Sequence, residues 1–138
     1  MDDVAVNKAA IIERCVRRIL EEYDGKPKNL LKNLTKQDSV LLNLQRACEA
    51  AIDLAMHEVR LRKLGVPQES REAFSLLERA KIIGGPLSKE LRAMVGFRNV
   101  AVHEYQSLNL NIVRSIIEKN LKAFLKFSKA VLKSKRPE

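Results

Sequence analysis

Residues 94–105 read MVGFRNVAVHEY, and the second half of this stretch brings an arginine, a histidine and a tyrosine together near the end of a predicted helix. The whole chain has only two histidines and two tyrosines, so the occurrence of one of each in this short stretch is informative. Arg98 offers a permanent cation with forked donors that suit a phosphate, and His103 can give or take a proton near neutral pH. Such a pair can cleave a phosphodiester without a metal ion.

These three side chains do not all lie on one face of a continuous helix. At roughly 100° per residue, Tyr105 falls almost in line with Arg98, whereas His103 points about 140° away. Convergence of Arg98 and His103 therefore requires a helix end near His103 or a second copy of the site from another subunit. A purely structural role is the alternative: a surface arginine, a histidine that packs or caps the helix, and a tyrosine that closes a corner of the core.

The segment resembles the signature of the HEPN superfamily, and specifically that of its HepT-like toxin branch. In that signature an arginine, a gap of four to six residues, a histidine, one residue and a tyrosine end a helix. Arg98, His103 and Tyr105 match it with a four-residue gap, and Asn99 is polar, as is usual after the arginine. Outside residues 94–105 the resemblance rests on length and helical pattern. It implies an all-α, HEPN-like domain.

The resemblance implies a toxin that is a metal-independent endoribonuclease and needs no cofactor. In HEPN ribonucleases a homodimer brings two Arg and His sets into one cleft, where a ribose 2′-hydroxyl attacks the adjacent phosphate. In this chain His103 would be the proton donor or acceptor, Arg98 would stabilise the charged phosphorane, and Asn99 would hold the geometry. RNA is the expected substrate and a homodimer the expected assembly.

A regulatory role for Tyr105 also comes from the resemblance. In HepT-like proteins this tyrosine receives AMP, which a partner nucleotidyltransferase moves from ATP onto the hydroxyl. The implied partner is a cognate MNT-type nucleotidyltransferase that acts as antitoxin. Phosphate groups added beside Arg98 and His103 would fill the cleft and neutralise the cation that RNA needs.

Length and composition fit a single domain over residues 1–138, with a short charged tail from about residue 134. A chain of 138 residues can bury a core without metals or disulfides. It has no Trp, and its abundant Leu, Ala, Lys, Glu and Arg favour helices. No apolar run approaches the roughly 20 residues of a membrane span, and the acidic start lacks a secretory signal pattern. We therefore expect a cytoplasmic location and no membrane contact.

Apolar periodicity predicts an up-and-down bundle of about five helices without strands. The first two predicted helices cover approximately residues 4–23 and 35–64, and a third runs from Gln68 or Ser70 to residue 83. The fourth carries the motif up to a turn over residues 106–109, and the fifth covers approximately residues 109–133. A capping pattern over residues 35–38 is expected to start the second helix, Ser88 to cap the fourth and Asn109 to cap the fifth. Val102 is assigned to the core side of the fourth helix. The second helix has a broad apolar surface, which suits a central helix or a subunit interface.

The charge balance favours a polyanionic partner, because 26 basic against 17 acidic residues give a net charge of +9. On the last helix five lysines repeat at three- and four-residue intervals and form a possible RNA-binding face: Lys119, Lys122, Lys126, Lys129 and Lys133. An ordinary solvated helix face explains the same pattern, since no aromatic residue is interleaved to stack bases. Arg14, Arg17 and Arg18 on the first helix leave the same two interpretations open.

The remaining reactive side chains give no metal-binding pattern. Cys15 and Cys48 form no Cys-x-x-Cys motif and are expected to be reduced and packed. His57 is expected on the surface of the second helix, with no partners at ligand spacing. Glu49 and Asp53 are candidates to approach the motif and orient His103, although an ordinary salt-bridge role explains them equally well.

Two other function classes stay open. One is a HEPN module that has lost catalysis and serves as the binding or scaffolding subunit of a nucleotidyltransferase complex. The other is a basic helical protein that binds RNA without chemistry. The intact Arg98, His103 and Tyr105 argue against the first alternative, and mutation of the last-helix lysines would matter more than mutation of His103 under the second.

Overall fold

The computed structural model describes residues 2–104 and 108–134, which are helical apart from the turns and contain no strand. The helices in this part of the chain are α1 (Asp3–Tyr23), α2 (Pro27–Leu31), α3 (Leu34–Leu61), α4 (Ser70–Arg79), α5 (Gly85–His103), α6 (Leu110–Ser115) and α7 (Lys122–Lys133). A π-helical stretch, Ile116–Asn120, joins α6 to α7. The all-α prediction is confirmed. None of the helices described is long and apolar enough to cross a membrane.

The five predicted helices correspond to α1, α3, α4, α5 and the run from α6 to α7. The extra helix, α2, forms in the predicted connection and begins with Pro27, whose fixed φ suits a first helical turn. Asn29 ties it to α1 by donating its side-chain amide to the carbonyl of Tyr23 at 2.9 Å, and Leu30 is fully buried. A helix of five residues carries too little periodicity to be predicted from sequence.

The long helices α1 and α3 make the most extensive contact of the bundle. They run antiparallel, because Lys8 near the start of α1 pairs with Asp53 near the end of α3 at 3.0 Å. α7 packs against α1, α3 and α5, while α4 packs against α3 and α5. Phe74 of α4 and Phe127 of α7 meet edge to face in the core, with ring centroids 5.3 Å apart.

The capping residues predicted from the sequence are only partly correct. Asn109 caps α6 as predicted, since its side-chain oxygen accepts from the N–H of Asn111 at 2.9 Å. The predicted start of α3 is wrong, because Asn33 is the cap and accepts from the N–H of Lys36 at 3.0 Å. The Ser88 cap is also wrong: α5 begins at Gly85, and Ser88 lies inside its first turn, fully buried.

We expect Ser88→Ala to raise the free energy of unfolding by about 1 kcal/mol, because the Ser88 hydroxyl is buried without a hydrogen-bond partner among the residues described. Urea denaturation at an unchanged m-value measures this. The matched control is Ser128→Ala, which removes a buried hydroxyl that donates to the carbonyl of Leu125 at 3.1 Å and should lower stability. Equal losses in both variants would contradict the prediction.

Glu118 joins the π-helical stretch to α1 and α6. One of its carboxylate oxygens accepts from the Tyr23 hydroxyl and, at 3.2 Å, from Nε of Arg114. These hydrogen bonds, that from Tyr23 first, lower the pKa of the Glu118 carboxyl below its ordinary value of 4.5. A carboxyl whose pKa is lowered by folding stabilises the fold above its ordinary pKa, and this contribution is lost as the pH falls through the folded-state pKa.

We therefore expect Glu118→Gln to be less stable than the unaltered protein at pH 7, with the difference shrinking as the pH falls below 4.5. Urea midpoints measured between pH 7 and pH 3 test this. Glu13→Gln is the control, because the Glu13 carboxylate is mostly exposed and its pairing with Arg17, at 3.9 Å, is weak. A Glu118→Gln deficit that stays constant over this pH range would refute the assignment.

Candidate functional site

Arg98 lies where three helices meet. Its backbone belongs to α5, and its guanidinium donates to Glu49 of α3 at 3.3 Å and to the hydroxyl of Ser70, the first residue of α4, at 3.4 Å. The side chain is 22% exposed, so the cation is partly shielded from water but still reachable. Helix packing thus fixes the position of Arg98.

The guanidinium is not saturated by these contacts. Both hydrogen bonds are long, and Nε of Arg98 is buried without a partner in the described ranges. Buried polar atoms without partners are rare in folded proteins, so the hydrogen bonding of this guanidinium is incomplete. An arginine held by two long contacts can exchange them for the stronger, charge-assisted hydrogen bonds of a phosphate.

A cleft of about 230 Å³ opens beside Arg98, between the start of α4 and α5, and it is lined by Glu69, Ser70, Arg71, Val95, Arg98 and Asn99. Arg71 brings a second guanidinium to this cleft. It approaches α5 so closely that a Cβ at Gly96 would lie 3.0 Å from its terminal nitrogen. A larger residue at position 96 would therefore push the end of the Arg71 side chain aside by a small distance.

The sequence interpretation missed Ser70 and Arg71. Both are separated from Arg98 by more than a helix and a turn, and no local periodicity connects them to it. Gly96, two residues before Arg98, was the available signal, because an isolated glycine inside a helix pattern often marks a close approach.

His103 is the last residue of α5, and its side chain is exposed. The helix ends here because Glu104 leaves the helical conformation, with φ −137° and ψ 49°. A helix end near His103, one of the two conditions stated for convergence, is therefore present. Tyr105, the predicted AMP acceptor, lies outside the described residues.

The helix end does not bring Arg98 and His103 together within one chain. Both residues belong to α5, so they stay about 140° apart around the axis and about 7.5 Å apart along it. Asn99 lies one turn before His103 and only about 40° from it around the helix, and it also lines the cleft of Arg98. Asn99 is thus the motif residue placed between the two.

The opposite side of α5 carries apolar surface. A cavity of about 610 Å³ lies between α5 and α6, with Met94, Phe97, Val100 and Ile112 among its lining residues. Val100 and Ile112 are 40% and 55% exposed. Val102 is also exposed, at 46%, so its predicted core position is wrong. The first residue of α4, Ser70, contacts Arg98, so the last turn of α5, after Arg98, is not covered by α4.

Glu49 and Asp53, the two acidic residues considered as partners of His103, have different contacts in the structure. Glu49 does approach the motif, but it contacts Arg98, while Asp53 pairs with Lys8 at 3.0 Å. Among residues 2–104 and 108–134, His103 has no hydrogen-bond or ion-pair partner, so neither carboxylate orients it there. The salt-bridge interpretation holds for both residues.

Cys15 and Cys48 are buried free thiols, as expected. Burial raises the pKa of the Cys48 thiol to about 12, which keeps it protonated and unreactive at neutral pH.

His57 lies on the long helix α3, as expected, but its side chain is not a free surface group. Its Nε2 lies 2.8 Å from a carboxylate oxygen of Asp2, the residue that caps α1, and it is only partly exposed. Potential ligand atoms of Asp2, His57 and Glu58 lie within 4.8 Å of one another. Helix capping by Asp2 and the pairing of Glu58 with Arg62 at 3.0 Å give this cluster a structural explanation.

The five lysines of the predicted RNA-binding face are all exposed along the π-helical stretch and α7, opposite the buried Phe124, Phe127 and Val131. This placement agrees with either interpretation of the lysines, and their contact with RNA stays a prediction.

Comparison with known proteins connects the motif to ribonucleases. Residues 12–131 match the family described as "Ribonuclease HepT-like". The chain is 49% identical over 127 residues to the mRNA nuclease HepT of Shewanella oneidensis, covering 92% of this chain and 95% of that protein.

Solved structures give the same relationship. The chain resembles the tri-AMPylated Shewanella oneidensis HEPN toxin in complex with MNT antitoxin, with a TM-score of 0.90, 46% identity, and coverage of 97% of this chain and 100% of that one. It also resembles a toxin–antitoxin crystal structure with AMP-PNP, with a TM-score of 0.90, 45% identity, and coverage of 96% and 100%.

Proposed function

We propose that this chain, which belongs to the HepT-like ribonuclease family, is the toxin of a toxin–antitoxin pair and cleaves RNA without a metal ion. The observation that carries the proposal is the 49% identity to an mRNA nuclease over nearly the whole length, with Arg98, Asn99 and His103 present on one helix. A cytoplasmic location is part of the same proposal, since mRNA is the substrate named for the relative.

In the proposed reaction the ribose 2′-hydroxyl attacks the adjacent phosphorus. The 2′-oxygen–phosphorus bond forms, and the bond from phosphorus to the 5′-oxygen breaks, which leaves a 2′,3′-cyclic phosphate and a 5′-hydroxyl. His103 takes the proton from the 2′-hydroxyl or gives one to the departing 5′-oxygen. Arg98 stabilises the charge that grows on the phosphorane, and Asn99 holds the geometry.

The arrangement on α5 supports a working unit of two chains. Arg98 and His103 point to different sides of the helix, so a cleft that holds both needs Arg98 from one protomer and His103 from another. Val100, Val102 and Ile112 surround this region with exposed apolar side chains that a second copy would cover. We therefore propose a homodimer with composite active sites.

Regulation is proposed to act through Tyr105, two residues after His103. A related toxin is tri-AMPylated in its complex with an MNT antitoxin, and the signature tyrosine supplies the hydroxyl for such a modification. A cognate MNT-type nucleotidyltransferase would transfer AMP from ATP to Tyr105. The added phosphates would occupy the cleft and pair with Arg98, so that Arg98 would no longer be available to the RNA phosphate.

The test is to incubate the purified protein with mixed RNA in EDTA and to identify the ends of the fragments. Intact mass first confirms that no adduct is present. Cleavage that yields 2′,3′-cyclic phosphate and 5′-hydroxyl ends is the expected result. Binding of RNA without cleavage by this unmodified protein would replace the proposal with that of a non-catalytic HEPN subunit.

A further inference from the structure

Four arginines line a groove of about 620 Å³ between α1 and α3, on the surface of the bundle. Arg14, Arg17 and Arg18 come from α1, and Arg46 comes from α3. The sequence interpretation left the first three open between solvated surface and RNA binding. The structure adds Arg46 and shows that the four surround one groove, which we call the arginine groove.

The positive charge of the arginine groove is only weakly compensated. Arg17 lies 3.9 Å from Glu13, and Arg18 lies 3.6 Å from Glu21 and 3.8 Å from Glu22, but the side chains of both arginines are more than half exposed. Exposed pairs of this kind contribute little and exchange partners readily. Glu21 and Asp38 are the two carboxylates among the lining residues, so the four arginines leave an excess of cations.

Arg14 and Arg46 have no ion-pair partner within the described residues, and both are exposed. Both also act on the buried Cys15: burial raises the pKa of that thiol, and the charges of Arg14 and Arg46 oppose the rise. Two such cations, on helices that line the same groove, suit an anion that contacts both helices.

The arginine groove ends close to the cleft of Arg98. Arg46 and Glu49 are three residues apart on α3 and are therefore neighbours on its surface. Glu49 in turn accepts a hydrogen bond from Arg98. One turn of α3 thus separates the last arginine of the groove from the carboxylate that holds the proposed catalytic arginine.

We propose that the arginine groove binds the phosphate backbone of single-stranded RNA beyond the cleaved bond and guides the strand to the Arg98 cleft. This inference rests on the proposed ribonuclease function. Guanidinium groups bind phosphate oxygens through paired donors regardless of the base, so the groove would add affinity without sequence preference. The Leu42 side chain, 47% exposed on the groove wall, offers an apolar contact for a ribose or base.

The experiment measures binding of a fluorescent single-stranded RNA in EDTA at several salt concentrations, with every protein carrying His103→Ala to prevent cleavage. The groove variant is Arg14→Gln/Arg46→Gln. The control is Arg60→Gln/Arg79→Gln, which removes the same charge from exposed arginines at the ends of α3 and α4. Circular dichroism and thermal melting establish that each variant is folded.

We expect the groove variant to bind RNA at least about tenfold more weakly at low salt. Each phosphate contact contributes about −0.7 to the slope of log affinity against log salt for a single strand, so losing two should flatten the slope by about 1.4. The control should keep the slope of the parent. Arg14→Lys/Arg46→Lys should keep most of the slope that Arg14→Gln/Arg46→Gln loses, because the charge is kept.

Two results would overturn the groove assignment while leaving the proposed function intact. One is an unchanged slope and affinity in the groove variant, which would assign these arginines to another partner. The other is an equal loss in the control, which would show that net charge alone attracts RNA. Failure of the ribonuclease proposal appears separately, as an absence of RNA cleavage by the protein with His103 present.

Discussion

Arg98→Ala and His103→Ala should each reduce RNA cleavage by a factor of about 100 or more, with the helical fold retained. Removal of Arg98 takes away the cation that would meet the developing phosphorane charge. Removal of His103 takes away the group that would move the proton. Because the His103 side chain is exposed at the end of α5, its loss should leave the melting temperature unchanged.

Initial cleavage rates in EDTA, measured beside circular dichroism spectra, test these two variants. Arg60→Ala is the matched control, since Arg60 is an exposed arginine in the last turn of α3. Arg98→Lys should retain only part of the activity, because lysine keeps the charge but loses the forked donors. Full activity in either alanine variant would remove that residue from the proposed site.

Mixing the two inactive variants tests whether the site is shared between protomers. In a dimer of one Arg98→Ala chain and one His103→Ala chain, neither protomer holds both groups, but one cross-protomer pair stays complete. With random pairing about half of the dimers are mixed, and each mixed dimer has one complete site out of two. About a quarter of the activity of the unaltered protein should therefore return. A mixture that stays inactive would place both groups of the working site in one chain.

The motif could be predicted from sequence because its signals are local. The spacing from Arg98 to His103, the helix that carries them and the cap at Asn109 all depend on neighbouring residues. The helix end at His103 was one of two conditions for convergence, and it occurs without bringing Arg98 and His103 to the same side. The sequence therefore identified candidate residues but left the shape of the site undetermined.

The surroundings of Arg98 could not be predicted, because they depend on how distant helices pack. Ser70 and Arg71 reach the site from the start of α4, and Glu49 reaches it from α3. The same reason explains why Arg46 joins the arginines of α1 only in the folded chain. Val102 shows the converse: its position on the helix wheel suited the core, but within residues 2–104 and 108–134 no helix covers it.

Tyr105→Phe should abolish AMP transfer by the cognate nucleotidyltransferase and so leave the toxin active in its presence. The transfer forms a bond between the tyrosine oxygen and the α-phosphorus of ATP, with pyrophosphate leaving, and phenylalanine has no hydroxyl for this step. We expect the unaltered protein to gain the mass of one or more AMP groups and to lose cleavage. The phenylalanine variant should show neither change.

Intact mass and RNA cleavage, followed after incubation with the partner, ATP and Mg²⁺, measure this outcome. Tyr23→Phe is the matched control because Tyr23 is the other tyrosine of the chain, and its buried hydroxyl donates to Glu118 and is withdrawn from solvent. That variant should still accept AMP. An adduct of the same mass on Tyr105→Phe would mean that another residue is the acceptor. Inhibition of Tyr105→Phe without any adduct would mean that the partner blocks the Arg98 cleft by binding alone.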